Sequence, residues 1–139
     1  MTALILYHKH PTSARTRFLQ MAQGNVVGID PLPTLSSYIE DADDVNETVV
    51  MHPGGLLKQA EGLFELDGGT LEVDTEFEEY VDTPDGNVRV YLAHFTTMDP
   101  PFDAVEAKGA KFIPLTDARQ LPDTELLLLR KAYELVLGG

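Results

Sequence analysis

The apolar positions of this 139-residue chain change their spacing along its length, and each spacing predicts a different element. Ala3 to Tyr7 is a short continuous apolar run, which reads as a buried strand ended by Pro11. The next stretch has two readings. Thr12 or Ser13 can cap a helix over Ala14–Gln23, with Phe18, Leu19 and Ala22 inward and Gly24-Asn25 at its end. The segment from Thr16 to Met21 can equally pair with the first strand, and periodicity does not choose between them. Val26–Ile29 is a further strand candidate. Thr34 can cap a short helix over Leu35–Ile39, and a polar break runs from Glu40 to Asp44.

The second half is patterned more clearly. Leu56, Leu57, Ala60, Leu63 and Phe64 follow the helical period and predict a helix over Leu56–Leu66, preceded by Pro53-Gly54-Gly55 and ended by Gly68-Gly69. Leu71, Val73, Thr75 and Phe77 alternate with Glu72, Asp74, Glu76 and Glu78, which is the period of a strand with one buried face. Val88, Val90 and Leu92 alternate back after Thr83-Pro84-Asp85-Gly86-Asn87, so a β-hairpin is predicted. Its register is open by one residue between an Asp-Gly and a Pro-Asp-Gly turn. Asp99 to Phe102 reads as a loop, Lys111–Leu115 as a short strand whose Pro114 marks an edge or a strand end, and Thr116–Gln120 as one helical turn. A last helix opens at Asp123 or Thr124, with Leu126, Leu129, Tyr133, Val136 and Leu137 on one face. The expectation is one domain over residues 1–139, with an N-terminal strand and helix segment (1–45) and a larger part (53–139).

Composition narrows the function classes. A hydrophobic content of 43% fits a folded globule. The absence of cysteine excludes disulfide scaffolds, thiol catalysis, zinc ribbons and iron–sulfur clusters. Ten basic against 23 acidic residues, net charge −13, argues against nucleic acid or an anionic membrane as partner. No apolar run is long enough to span a membrane, and the first residues lack the pattern of a signal peptide, so a cytoplasmic protein is expected. Sixteen of the 23 acids and one of the ten bases, Lys58, lie between Phe18 and Val88. That asymmetry predicts one strongly negative side, either a solvated face or a surface for a cation or basic partner.

Three constellations carry candidate chemistry. Glu61 and Glu65, four apart on one helix, would share a face and could hold Mg²⁺, or form a solvated pair. Lys9, His10, Arg15 and Arg17, with Thr12 and Ser13, form the one basic cluster. If Thr12 opens a helix, they could bind a phosphate or carboxylate. His8 and His10 could chelate a transition metal if the first strand extends that far. His52 and His94 have no partner in sequence. No G-x-G-x-x-G, Walker, G-x-S-x-G or H-E-x-x-H pattern occurs.

The order of these pieces from Pro53 to Leu137, about 60% of the chain, resembles the Nudix domain. That family places Pro-Gly-Gly before a carboxylate-bearing helix, then an acidic strand, a turn, a strand, a W/F-x-P-L-x-E/D strand and a closing helix. The matching segments are Pro53-Gly54-Gly55, the Glu61 and Glu65 helix, Leu71–Val81, Asn87–Thr97, Phe112-Ile113-Pro114-Leu115-Thr116-Asp117 and Thr124–Leu137. The resemblance implies a mixed α/β (α+β) fold, with a central antiparallel hairpin flanked by helices, and a Mg²⁺-dependent pyrophosphohydrolase site. The family's box, G-x5-E-x7-R-E-U-x-E-E-x-G-U, is degenerate here. Gly55 and Glu61 keep the first spacing. Without a gap, the R-E-U-x-E-E positions fall on Gly69-Thr70-Leu71-Glu72-Val73-Asp74; with a gap, they fall on Phe64-Glu65-Leu66 and Gly68-Gly69. The glutamate pair that ligates metal in the family is absent in both.

The resemblance therefore implies a Nudix-like domain that has lost the usual chemistry and binds a nucleotide, a phosphosugar or a protein partner. The alternatives are a divergent Mg²⁺-dependent hydrolase of nucleoside diphosphate derivatives, with Glu61 and Glu65 as catalytic and metal candidates, and an acidic protein-interaction domain. A shorter segment, Ile5 to Arg15, resembles the first strand and active-site loop of arsenate reductases and thioredoxin-like proteins. Thr12 stands there in place of the reactive cysteine.

Overall fold

A computed structural model describes residues 2–41 and 53–138. Its order is β1 (Thr2–Lys9), β2 (Thr16–Gln20), β3 (Ser37–Ile39), α1 (Pro53–Leu63), β4 (Leu71–Val73), β5 (Glu79–Thr83), β6 (Gly86–Phe95), α2 (Phe102–Glu106), β7 (Lys111–Ile113), a one-turn 3-10 helix (Leu115–Ala118) and α3 (Asp123–Gly138). The seven strands form one mixed sheet in the order β3-β5-β6-β1-β2-β7, with β4 also paired to β6. β1 and β6 run parallel; the other pairings among the described residues are antiparallel.

The continuous apolar run of β1 matches its place in the middle of the sheet, with both faces covered. Ala3, Ile5 and Tyr7 join Phe18, Val90, Leu92 and the α3 residues Leu128, Leu129, Ala132 and Val136 in one core. Leu4 and Leu6 join Leu19, Ala93, Phe95, the α1 residues Leu56 and Ala60, and Val105 of α2 in the other. The molecule is thus α+β, with its sheet between helices and its hairpin β5–β6 near the centre.

The structure resolves or corrects several sequence expectations. Residues 14–23 contain the strand β2 rather than a helix, because Tyr7 and Phe18 pair and each face of β2 meets a different core. In Val26–Ile29, the first three residues are buried and Ile29 is half-buried, but the segment is not a strand. The backbone N–H groups of Val26 and Val27 donate to Glu125 instead, at 2.8 and 3.0 Å. Gly28, at φ 87°, stands where a Cβ would collide with the Asp30 carbonyl oxygen. The helix expected over Leu35–Ile39 is a turn followed by β3, which pairs with β5.

The expected strand Leu71–Val81 is two strands. Val73 faces Ala93 and Glu79 faces Val90, so five residues (74–78) span two residues of β6 and the chain must leave the ladder. In the hairpin, Thr83 faces Gly86, Pro84 and Asp85 make the turn, and Gly86 takes φ 119°. The loop from Asp99 leads directly into α2. On α3 the buried stripe is Glu125, Leu128, Leu129, Ala132 and Val136, while Leu137 is exposed. The Thr124 hydroxyl donates to the Ser36 carbonyl at 3.0 Å rather than capping the helix. Asp43, Asp44 and His52 lie outside the described residues.

Candidate functional sites

Pro53, Gly54 and Gly55 form the first turn of α1 rather than preceding it, and α1 ends at Leu63, three residues earlier than expected. The termination has a local cause. Glu65 sits at φ 54°, and the Leu66 N–H reaches back to the Glu61 carbonyl at 2.8 Å, a left-handed C-terminal cap. Glu61 and Glu65 therefore do not share a helical face. The Glu61 carboxylate is buried; its Oε2 accepts the N–H groups of Gly69 at 3.0 Å and Leu71 at 3.1 Å. It ties the end of α1 to the start of β4. Glu65 points into solvent and pairs with Lys108 at 3.4 Å, with 78% of its side chain exposed. Among the described residues, no three His, Cys, Asp or Glu side chains are grouped to hold a metal.

The basic cluster is divided by the sheet. Alternation along β1 sends Lys9 to the α3 side, where its Nζ donates to the Val136 carbonyl at 3.1 Å, a cation at a helix C-terminus. His10 lies just past β1, where its Nδ1 accepts the N–H groups of Thr12 and Ser13 and its Nε2 meets Asp99 at 3.5 Å. Arg15 is exposed, and the Arg17 guanidinium stacks over the Phe102 ring at 5.5 Å. Thr12 opens no helix, so the expected helix N-terminus for an anion is absent. His8 is fully buried and its Nε2–H donates to the Thr97 carbonyl at 2.8 Å, while its Nδ1 has no hydrogen-bond partner among the described residues. The His8 and His10 rings are 6.4 Å apart, and their nitrogens serve separate contacts.

One titratable group escaped the sequence reading. Pairing of β4 with β6 places Glu72 opposite His94, and Asp74, the residue just after β4, receives the His94 Nδ1–H at 3.2 Å. Asp74 also takes the Tyr7 phenol, which burial and that carboxylate push above its usual range. The Asp74 hydrogen bond raises the His94 imidazole above its ordinary 6.5, against burial, which lowers it. Tyr7, Lys9, Asp74, Glu76 and Val136 line a cleft of about 330 Å³ beside these groups. The strand alternation could have signalled this cluster, had the β4–β6 register been known.

No protein-family model matches the chain, and no curated protein sequence matches it. No helix among the described residues is long and apolar enough to cross a membrane.

Two outcomes follow. E61A leaves two amides without their acceptor, so denaturant unfolding should show a loss of about 2–3 kcal/mol, whereas E65A should stay within about 0.5 kcal/mol of wild type. For His94 the folded value exceeds 6.5, so its contribution is complete below that pH and fades as pH rises through the raised value. Stability measured from about pH 6 to pH 9 should fall in wild type relative to D74N. Parallel pH profiles would contradict the Asp74–His94 contact.

Proposed function

We propose that this chain is a Nudix-like domain that binds a small phosphate-bearing ligand without hydrolysing it. The order α1, β4–β5, β6, β7, α3 is the order that the resemblance implies for the helix, acidic strand, second strand, Phe-Ile-Pro-Leu strand and closing helix. The observation that carries the reading is the state of Glu61. A pyrophosphohydrolase of this kind needs carboxylates free to ligate Mg²⁺ and activate water. Here the buried carboxylate accepts two backbone N–H groups, and Glu65 lies outside the helix on an exposed ion pair. Asp74, which the ungapped box reading places at a family carboxylate, is engaged by His94 and Tyr7. The residues at the box positions thus do not make a divalent-metal set, and no metal-dependent step is derived for them.

The experiment is a panel of nucleotides, nucleotide sugars and phosphosugars, read by thermal shift and by product release with Mg²⁺ or Mn²⁺ present. The expected result is stabilisation by some members with no turnover. Metal-dependent turnover abolished by E65Q would replace this reading with a divergent hydrolase. The absence of any stabilisation would overturn ligand binding and leave the acidic surface, tested by the salt dependence of a protein interaction, as the account.

A further inference from the structure

We infer that the loop between β1 and β2 is an acid-opened latch, which the neutral His10 side chain closes and the protonated one releases. Residues 10–15 make this connection. Two main-chain bonds close it: the His10 N–H donates to the Arg15 carbonyl at 2.9 Å, and the Ala14 N–H to the His10 carbonyl at 2.8 Å. Inside the turn, the N–H groups of Thr12 and Ser13 both donate to His10 Nδ1, at 3.2 and 3.3 Å. The imidazole thus does what an asparagine or aspartate side chain does in an Asx turn, accepting main-chain donors just ahead of it. The closed loop also keeps Ala14 at φ 58°, a left-handed conformation that costs a residue other than glycine energy.

A ring nitrogen accepts those two amides only while it carries no proton. The closed loop therefore selects the neutral ring with its hydrogen on Nε2, which faces Asp99 at 3.5 Å. A further proton goes to Nδ1, where it meets two N–H groups and withdraws the lone pair that held them. Opening the loop exchanges these bonds for water and releases Ala14. The charged neighbours are few. Asp99, in the loop after β6, is the acid that pairs with the ring among the described residues. Asp103 of α2 is exposed beside Phe102, and the Arg17 guanidinium of β2 is drawn over that Phe102 ring at 5.5 Å. Arg15 is exposed, and its N–H donates to Ser13 Oγ at 3.3 Å. On β1, the His8 ring lies 6.4 Å away with its Nε2 on the Thr97 carbonyl, and Lys9 is directed to the Val136 carbonyl. Acid thus frees the loop and adds a third positive charge to the segment that holds Arg15 and Arg17. The Asp74–His94 contact behaves differently, because its Nδ1–H donates to a carboxylate in either state of the ring.

The test is NMR of the full chain and of the variants H10N and H10A at about pH 8 and about pH 5, on either side of the range in which an imidazole charges. Asparagine offers an oxygen close to the place of Nδ1 and does not titrate, whereas alanine offers no acceptor. Imidazole ¹⁵N shifts read the tautomer, and water exchange of the Thr12 and Ser13 amides, corrected for the intrinsic pH dependence, reads the loop. The expected result at the higher pH is the Nε2–H tautomer with both amides protected. At the lower pH, wild-type protection should fall about fivefold or more. H10N should stay protected at both values and H10A at neither, while the Ile5 and Leu92 amides of the central strands report an intact sheet throughout. Equal protection of the wild-type loop at both values would overturn the latch, as would an Nδ1–H tautomer at the higher pH. Loss of protection in H10N would show that something other than this ring opens the loop, and wild-type protection in H10A that something else closes it; either would overturn the inference.

Discussion

The parallel pairing of β1 with β6 is the constraint from which the rest of the molecule follows. It puts a strand with no solvent face at the centre of the sheet. Odd positions of β1 must then serve the α3 core and even positions the α1 core. Polar residues at the strand's end inherit the same division. Lys9 is carried to the C-terminus of α3, while His8 turns to the Thr97 carbonyl on the other side. A cluster that is compact in sequence is thereby separated by the thickness of a sheet, which removes it as a single anion site.

Long-range acceptors tie the irregular segments to this frame. Glu61 holds the amides of Gly69 and Leu71, and Glu125 holds those of Val26 and Val27. Each of these carboxylates is buried and satisfies two main-chain donors where the chain enters or leaves regular structure. They differ from Glu65, which has solvent and a lysine for company. Glu61 is thus a joint between helix and strand, and its engagement is the physical reason for proposing that it does not serve a metal. Each side of the sheet thus has its own buried joint, Glu61 on the α1 side and Glu125 on the α3 side, and the α3 side also carries the cleft at Asp74.

What could be read from the sequence was local. The hairpin was legible because period-two alternation met a Pro-Asp-Gly turn, and β1 because an unbroken apolar run needs cover on both faces. The closing helix was legible from its leucines, although Leu137 lies in solvent and Glu125 within the buried stripe. The sites were less legible, because their partners are distant. Asp74 meets His94 across 20 residues, and Glu125 meets Val26 across 99. The shared face expected for Glu61 and Glu65 failed for a conformational reason: one residue at positive φ ended the helix between them and their predicted geometry. Burial of Val26 and Val27 was anticipated as a strand, yet their amides found a side chain rather than a neighbouring strand.

The claim that Glu61 serves the main chain and not a metal is tested most directly by amide hydrogen exchange at Gly69 and Leu71, followed by NMR with and without saturating Mg²⁺. The account predicts that both amides are protected and that Mg²⁺ leaves their exchange and chemical shifts unchanged. Exchange at both amides as fast as in an open loop, or protection lost as Mg²⁺ is added, would show a carboxylate available to a metal and would contradict it.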